Sequence, residues 1–401
     1  MKWMTLCLSL WWLLSTTAGA QTLTLPPAVL KQLNAAQEAM AAENYPQADK
    51  VLRALAARDL SAPAQAYILQ FQGNLALARQ QEAAAMKRFA AAYALNALPA
   101  IDQRRLLHTV AQLQMSQSRW REGIDSLQRW MEEIRSHGTQ TEKIRAEDHL
   151  LLAQGYSRVE QWAQVVAPVK AAIRMRGRAP EDWYRLQLAA HFQLKQWKGA
   201  TAVLELLVNR YPHKARYWEQ LASVYQLRDR HADALATLRA AWLGGQFDQE
   251  RQYIWLSQLL LQQGLPQRAA ELLDDAMNRQ QVRRSLKHER LLAQTQLQAK
   301  LYSAGRGTLE RIAQRRPDYM TWRQLAYLDM QLQRWDAMKQ SIERAVALKP
   351  DAADLHLLSG IADLNRAQLD QARASFVRAR EYAATRAQAQ SWLNYLDQRS
   401  G

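Results

Sequence analysis

The chain of 401 residues carries a single cysteine, Cys7, placed in a leading segment that is expected to be removed. Disulfide staples and paired-thiolate metal sites are excluded for the mature chain, and stability has to come from packing. Glycine (14) and proline (11) are scarce, whereas Ala, Leu, Gln and Arg dominate. Those are strong helix formers with few β-branched competitors, so an all-α chain is expected. Beyond residue 14 no apolar run approaches the ~20 residues that span a bilayer. HExxH, paired-cysteine and glycine-rich phosphate motifs are missing. No catalytic site, metal or cofactor is expected. His149, His191 and His356 fall at helix-packing positions and His137 and His213 in turns, so the histidines form no set.

What is present begins with the first twenty residues. Lys2 gives a positive start, Trp3 to Leu14 is apolar, and Ala18-Gly19-Ala20 supplies small residues at a cleavage site. The pattern predicts a signal peptide over 1–20, cleaved before Gln21, with no stable membrane insertion afterwards. Cys7 is remote from that site, so no lipid anchor is expected. Lys plus Arg total 53 against 37 acidic residues, a net +16. A basic surface attracts nucleic acid, anionic lipid or acidic protein. Export argues against nucleic acid and leaves acidic protein segments or anionic envelope components.

A 34-residue period runs through the remainder. Numbering each period from 1, position 8 carries Ala36, Gly73, Ala111, Ala153, Leu188, Ala222, Ser257, Ala293, Ala326 and Gly360. Nine of the ten are small, as required where two helix backbones approach closely. One well-matching window, 319–352, sets Trp322, Leu325, Ala326, Ile342, Ala345 and Pro350 in the frame of large, small and turn residues. These residues resemble the tetratricopeptide repeat (TPR), two antiparallel helices per repeat. The resemblance implies a right-handed superhelical solenoid of about ten helix-turn-helix repeats. Starts fall near 29, 66, 104, 146, 181, 215, 250, 286, 319 and 353. The expected layout is an extension at 21–28, an array at 29–386, and a capping helix with tail at 387–401. Spacings in the first three repeats exceed 34, which predicts longer turns there, and Gly138 to Arg145 reads as an insertion. Position 17 holds Tyr45, Trp120, Trp162, Trp197, Tyr302 and Trp335, with Trp218 and Trp322 at position 4. All are expected in the core.

The wording of the middle repeats points further. Tyr217-Trp218-Glu219-Gln220-Leu221-Ala222 and Gly264-Leu265-Pro266, with Ala269-Ala270-Glu271-Leu272-Leu273, resemble the TPR proteins associated with TonB-ExbB-ExbD systems of Gram-negative bacteria. That likeness implies a non-enzymatic periplasmic interaction scaffold, an accessory to TonB-type uptake. The alternative is an adaptor of another envelope machine, for polysaccharide export or cell-wall assembly. In TPR proteins positions 2, 5, 9 and 12 of the first helix face the groove. Position 9 is an amide at Gln37, Asn74, Gln112, Gln154, Gln258 and Gln294, a ladder able to donate to and accept from an extended peptide. Positions 2 and 5 turn basic at Arg185, Arg216, Arg251, Lys287, Arg290 and Arg323. Guanidinium groups there suit carboxylates. With Gln258 and Gln294 these cations form the expected partner-binding groove, for protein partners with acidic or extended segments, TonB-ExbB-ExbD components among them.

Overall fold

The computed structural model describes residues 25–400. The expected signal segment 1–20, with Cys7, lies outside the described residues. Among those residues there are 21 α-helices and no strand. They divide between two compact units, Met1–Gln196 and Trp197–Gly401.

The first unit pairs α1 (Pro27–Ala41) with α2 (Tyr45–Ala56), α3 (Ala62–Ala78) with α4 (Glu82–Ala94), α5 (Ala100–Ser116) with α6 (Trp120–His137), and α7 (Ala146–Arg158) with α8 (Trp162–Arg176). It ends on α9 (Glu181–Gln193). The second opens with α10 (Trp197–Arg210). It then pairs α11 (Ala215–Gln226) with α12 (His231–Leu243), α13 (Glu250–Gln262) with α14 (Pro266–Asn278), and α15 (Leu286–Gln298) with α16 (Tyr302–Arg315). The last pairs are α17 (Tyr319–Gln331) with α18 (Trp335–Leu348) and α19 (Ala353–Asn365) with α20 (Leu369–Arg380), closed by α21 (Arg386–Ser400).

Local chemistry starts many of these helices. Asn44, Ser285 and Asp318 each accept a hydrogen bond from the backbone N–H three residues on, at 3.2, 3.2 and 2.9 Å. Such caps satisfy donors that a helix start leaves free. Between first and second helices one turn recurs. Position 15 is left-handed in all ten repeats, at Glu43, Gln80, Ser118, Glu160, Lys195, Asp229, Gly264, Lys300, Gln333 and Ala367. The next backbone N–H then donates to the carbonyl five residues back, as from Asn44 to Ala39 and from Arg334 to Asp329, both 2.8 Å. This is a Schellman-type closure. Only Gly264 takes that conformation without a Cβ penalty.

The extra length of the first two repeats goes mainly into helices, contrary to the spacing argument, whereas that of the third goes into α6 and the loop after it. α3 and α5 have 17 residues, against 13 for α13, α15, α17 and α19. The added residues form a further first turn, Ala62 onward and Ala100 onward. α1 begins at Pro27, ahead of 29, with proline suited to a first helical position. The stretch from Gly138 to Arg145 is non-helical between α6 and α7, while His137 closes α6 and is not in a turn.

All ten position-8 residues are buried. Position 24, sixteen residues on, complements them in volume. It is Phe89 where position 8 is Gly73 and Phe376 where position 8 is Gly360, and it is Leu, Ile or Val elsewhere. A Cβ on Gly360 would meet the Phe376 ring at 2.4 Å, and one on Gly73 would meet Phe89 at 2.5 Å. The position-17 aromatics do open α2, α6, α8, α10, α16 and α18. They are half-buried, as are Trp218 and Trp322, which corrects the expectation of core residues. The guanidinium of Arg158 lies 5.6 Å above Trp120. At the C-terminus α21 covers the last hairpin, its Trp392 stacked on Phe376 at 5.7 Å and Leu393 and Leu396 buried.

Candidate partner-binding surface

In the second unit the first helices α11, α13, α15 and α17 carry the expected basic positions. A register links neighbours, with position 5 of one repeat near position 2 of the next. Glu219 meets Arg251 at 3.0 Å, and Arg323 meets Asp354 at 2.6 Å. Arg290 lies 3.7 Å from Asp318, the cap of α17. The Asp318 carboxyl titrates below its ordinary range, since bonds from Thr321 and the charge of Arg290 outweigh the opposing effect of burial. Arg216 donates to the Tyr217 hydroxyl at 2.9 Å and lies over that ring. Lys287 is exposed and makes no ion pair among the described residues. Gln258 and Gln294 are exposed.

The unit therefore brings Arg216, Arg251, Gln258, Lys287, Arg290, Gln294 and Arg323 onto successive first helices. The surface is a ladder of partnered charges, less basic than the cations alone suggest. The side chain of Arg251 remains 65% exposed and that of Arg290 58%, so both stay open to a ligand. The acids of this ladder escaped a reading of cations alone. Their signal was available as an acid 31 or 32 residues from an arginine, in Arg323 with Asp354 and Glu219 with Arg251.

Arg185 belongs to the first unit, exposed on α9 and paired with Asp182 at 3.0 Å. In that unit the amides at Gln37 and Gln154 are exposed, while Asn74 and Gln112 are half-buried. The strongest polar constellation there lies around α5 and the insertion. Arg104 donates twice to Glu142, at 2.8 and 2.6 Å, with both side chains nearly buried. Thr139 donates to Glu142 through its amide and hydroxyl. The Arg104 hydrogen bonds lead in holding the Glu142 carboxyl at about 2. His108 meets Asp148 at 2.7 Å and stacks on Trp130 at 4.0 Å. These contacts fasten the loop before α7 against α5. Periodicity could not foresee this, because the partners lie across an irregular loop.

Two of the remaining histidines pack as expected from the frame. His191 is buried and meets Gln196 at 2.9 Å, and His356 meets the Pro350 carbonyl at 3.0 Å. Among the described residues, no group of three His, Cys, Asp or Glu could hold a metal ion. No described helix is long and apolar enough to cross a membrane.

A small buried residue at position 8 in nine of ten hairpins, an aromatic opening the second helix in six and a left-handed turn at one fixed position in all ten give the chain the fold of a tetratricopeptide-repeat array with a C-terminal capping helix. No protein-family model matches the chain, and no curated protein matches it. Solved structures do. One is a tetratricopeptide repeat protein from Parabacteroides merdae, with 14% identity, 63% of this chain and 98% of that chain covered, and a TM-score of 0.33. Another is MamA from Desulfovibrio magneticus RS-1, with 17% identity, 38% and 86% covered, and a TM-score of 0.32.

Proposed function

We propose that the protein is a non-enzymatic, protein-binding scaffold of the periplasm, an accessory component of a TonB-type energy-transducing uptake system. Its surface in the second unit receives an acidic or extended segment of a protein partner. One observation carries the binding reading: cations recur in register on α11, α13, α15 and α17, exposed on the first three and half-buried on α17, with exposed amides beside them on α13 and α15. A preformed array of this kind gathers affinity from many small contacts along its length. The leading segment 1–20 supports export, and the phrasing of residues 217–273 supports the TonB association.

Photo-crosslinking in the cell from position 290, with the captured protein identified by mass spectrometry, tests it. Capture of a TonB, ExbB or ExbD component is the expected result. Capture of a different envelope protein would remove the TonB association and keep the scaffold. No protein adduct at 290, 258 or 294 would overturn the surface itself.

A further inference from the structure

A charge equal to half of the net total is concentrated in one stretch, the turn before α15 and the α15–α16 hairpin. From Arg279 to Arg316 there are ten Lys or Arg and two acids, a net +8 against +16 for the whole chain. Both acids are used inside the stretch. Glu310 pairs with Arg306 at 2.8 Å. Glu289 is 1% exposed and lies between two arginines of α16, 3.5 Å from Arg311 and 3.0 Å from Arg315. The side chains of those two arginines are themselves 47% and 52% exposed. One buried carboxylate thus holds two forks side by side, each with donors still facing water.

The surroundings add cations. Arg315 donates to the Arg284 carbonyl at 2.8 Å, which ties the end of α16 to the turn before α15. Arg284 stands 3.7 Å from Asp274, its nearest acid. Lys287 and Arg316 are exposed and make no ion pair among the described residues.

We propose that this end of α15 and α16 is a receptor for a run of carboxylates on an acidic polypeptide, with Glu289 as its buried positioning residue. The proposal rests on the scaffold reading only in taking a protein as partner. A guanidinium fork matches a carboxylate with two parallel hydrogen bonds, and Arg311 and Arg315 present two forks together. Their shared contact with Glu289 has already restricted their rotamers, so less freedom is lost on binding. A lipid surface fits less well. Between Arg279 and Asp318 the one exposed large apolar side chain is Leu301, at the opposite end of the hairpin, so nothing here enters an acyl layer.

Fluorescence anisotropy of the full chain with fluorescein-labelled hexaglutamate tests the receptor. Saturable binding is expected, weakened at least tenfold by joint Arg311→Glu and Arg315→Glu. Glu289→Gln separates a built receptor from diffuse attraction, because it makes the protein more positive. The receptor predicts weaker binding by about tenfold, equivalent to ~1.4 kcal/mol. Unchanged or tighter binding would overturn it. Circular dichroism melting checks that this variant folds. Should it not fold, joint Arg311→Lys and Arg315→Lys keeps the charge and removes the forks, and undiminished binding would again overturn the receptor. Binding to phosphatidylglycerol vesicles without binding to hexaglutamate would overturn it in favour of lipid. A failed crosslink at position 290 counts against the scaffold surface and leaves the hexaglutamate result standing.

Discussion

Two residue-level rules govern the hairpins, and they differ in how readable they were. The small residue at position 8 is plain in the sequence, because close backbone approach admits few side chains. Its dependence on position 24 shows only in the structure, where Phe376 fills the space a Cβ would take at Gly360. Gly360→Ala should therefore destabilise the second unit by about 1–3 kcal/mol, the usual cost of overpacking. Phe376→Leu in the same chain should recover part of that loss, a non-additivity measurable by urea denaturation of the single and double variants. The left-handed residue at position 15 was illegible, because nine of ten repeats place a side chain where glycine is the usual marker. Ala367, at φ 58°, has no polar group to ease the strain. Ala367→Gly should stabilise by roughly 0.5–1 kcal/mol, the relief of strain exceeding the added freedom of the unfolded chain. A lower denaturation midpoint would contradict that account.

Between elements, buried ion pairs fasten one repeat to the next. Asp363 on α19 is fully buried, with Lys339 of α18 at 2.6 Å and Arg366 at 3.1 Å. Asp329 on α17, one period earlier, takes Arg306 of α16 at 2.5 Å and Ser341 of α18 at 3.2 Å. Both acids stand at position 11, where the repeat pattern favours tyrosine, so sequence periodicity gave no reason to expect them. Asp363→Ala strands Lys339 and should cost about 3–5 kcal/mol, read as lost amide-exchange protection in α18 to α20. The Arg104–Glu142 clamp has a pH dependence whose sign is set by its depressed carboxyl. Its contribution is complete above the ordinary carboxylate range, near 4.5, and is lost as pH falls towards about 2. Thermal melting across that window should show a smaller acid loss for Glu142→Gln than for the unaltered chain. Equal losses would place the acid sensitivity elsewhere.

At the scale of the whole molecule, repeat number and the small-residue frame were legible, whereas the division at Gln196 and Trp197 was not. No linker composition marks it, since it falls between a left-handed turn and the opening of α10. The proposed partner surface was legible in its cations and incomplete without the carboxylates that meet them. That completion matters for testing. Reversing Arg251 and Arg290 sets new carboxylates beside Glu219 and Asp318, so fold and binding have to be read separately. The most direct measurement is recovery of the partner from cells by affinity capture, comparing the unaltered chain with joint Arg251→Glu, Lys287→Glu and Arg290→Glu at matched helicity. The account predicts that the partner is retained by the first and lost from the second. Equal recovery from both would contradict a partner held on the first helices of the second unit.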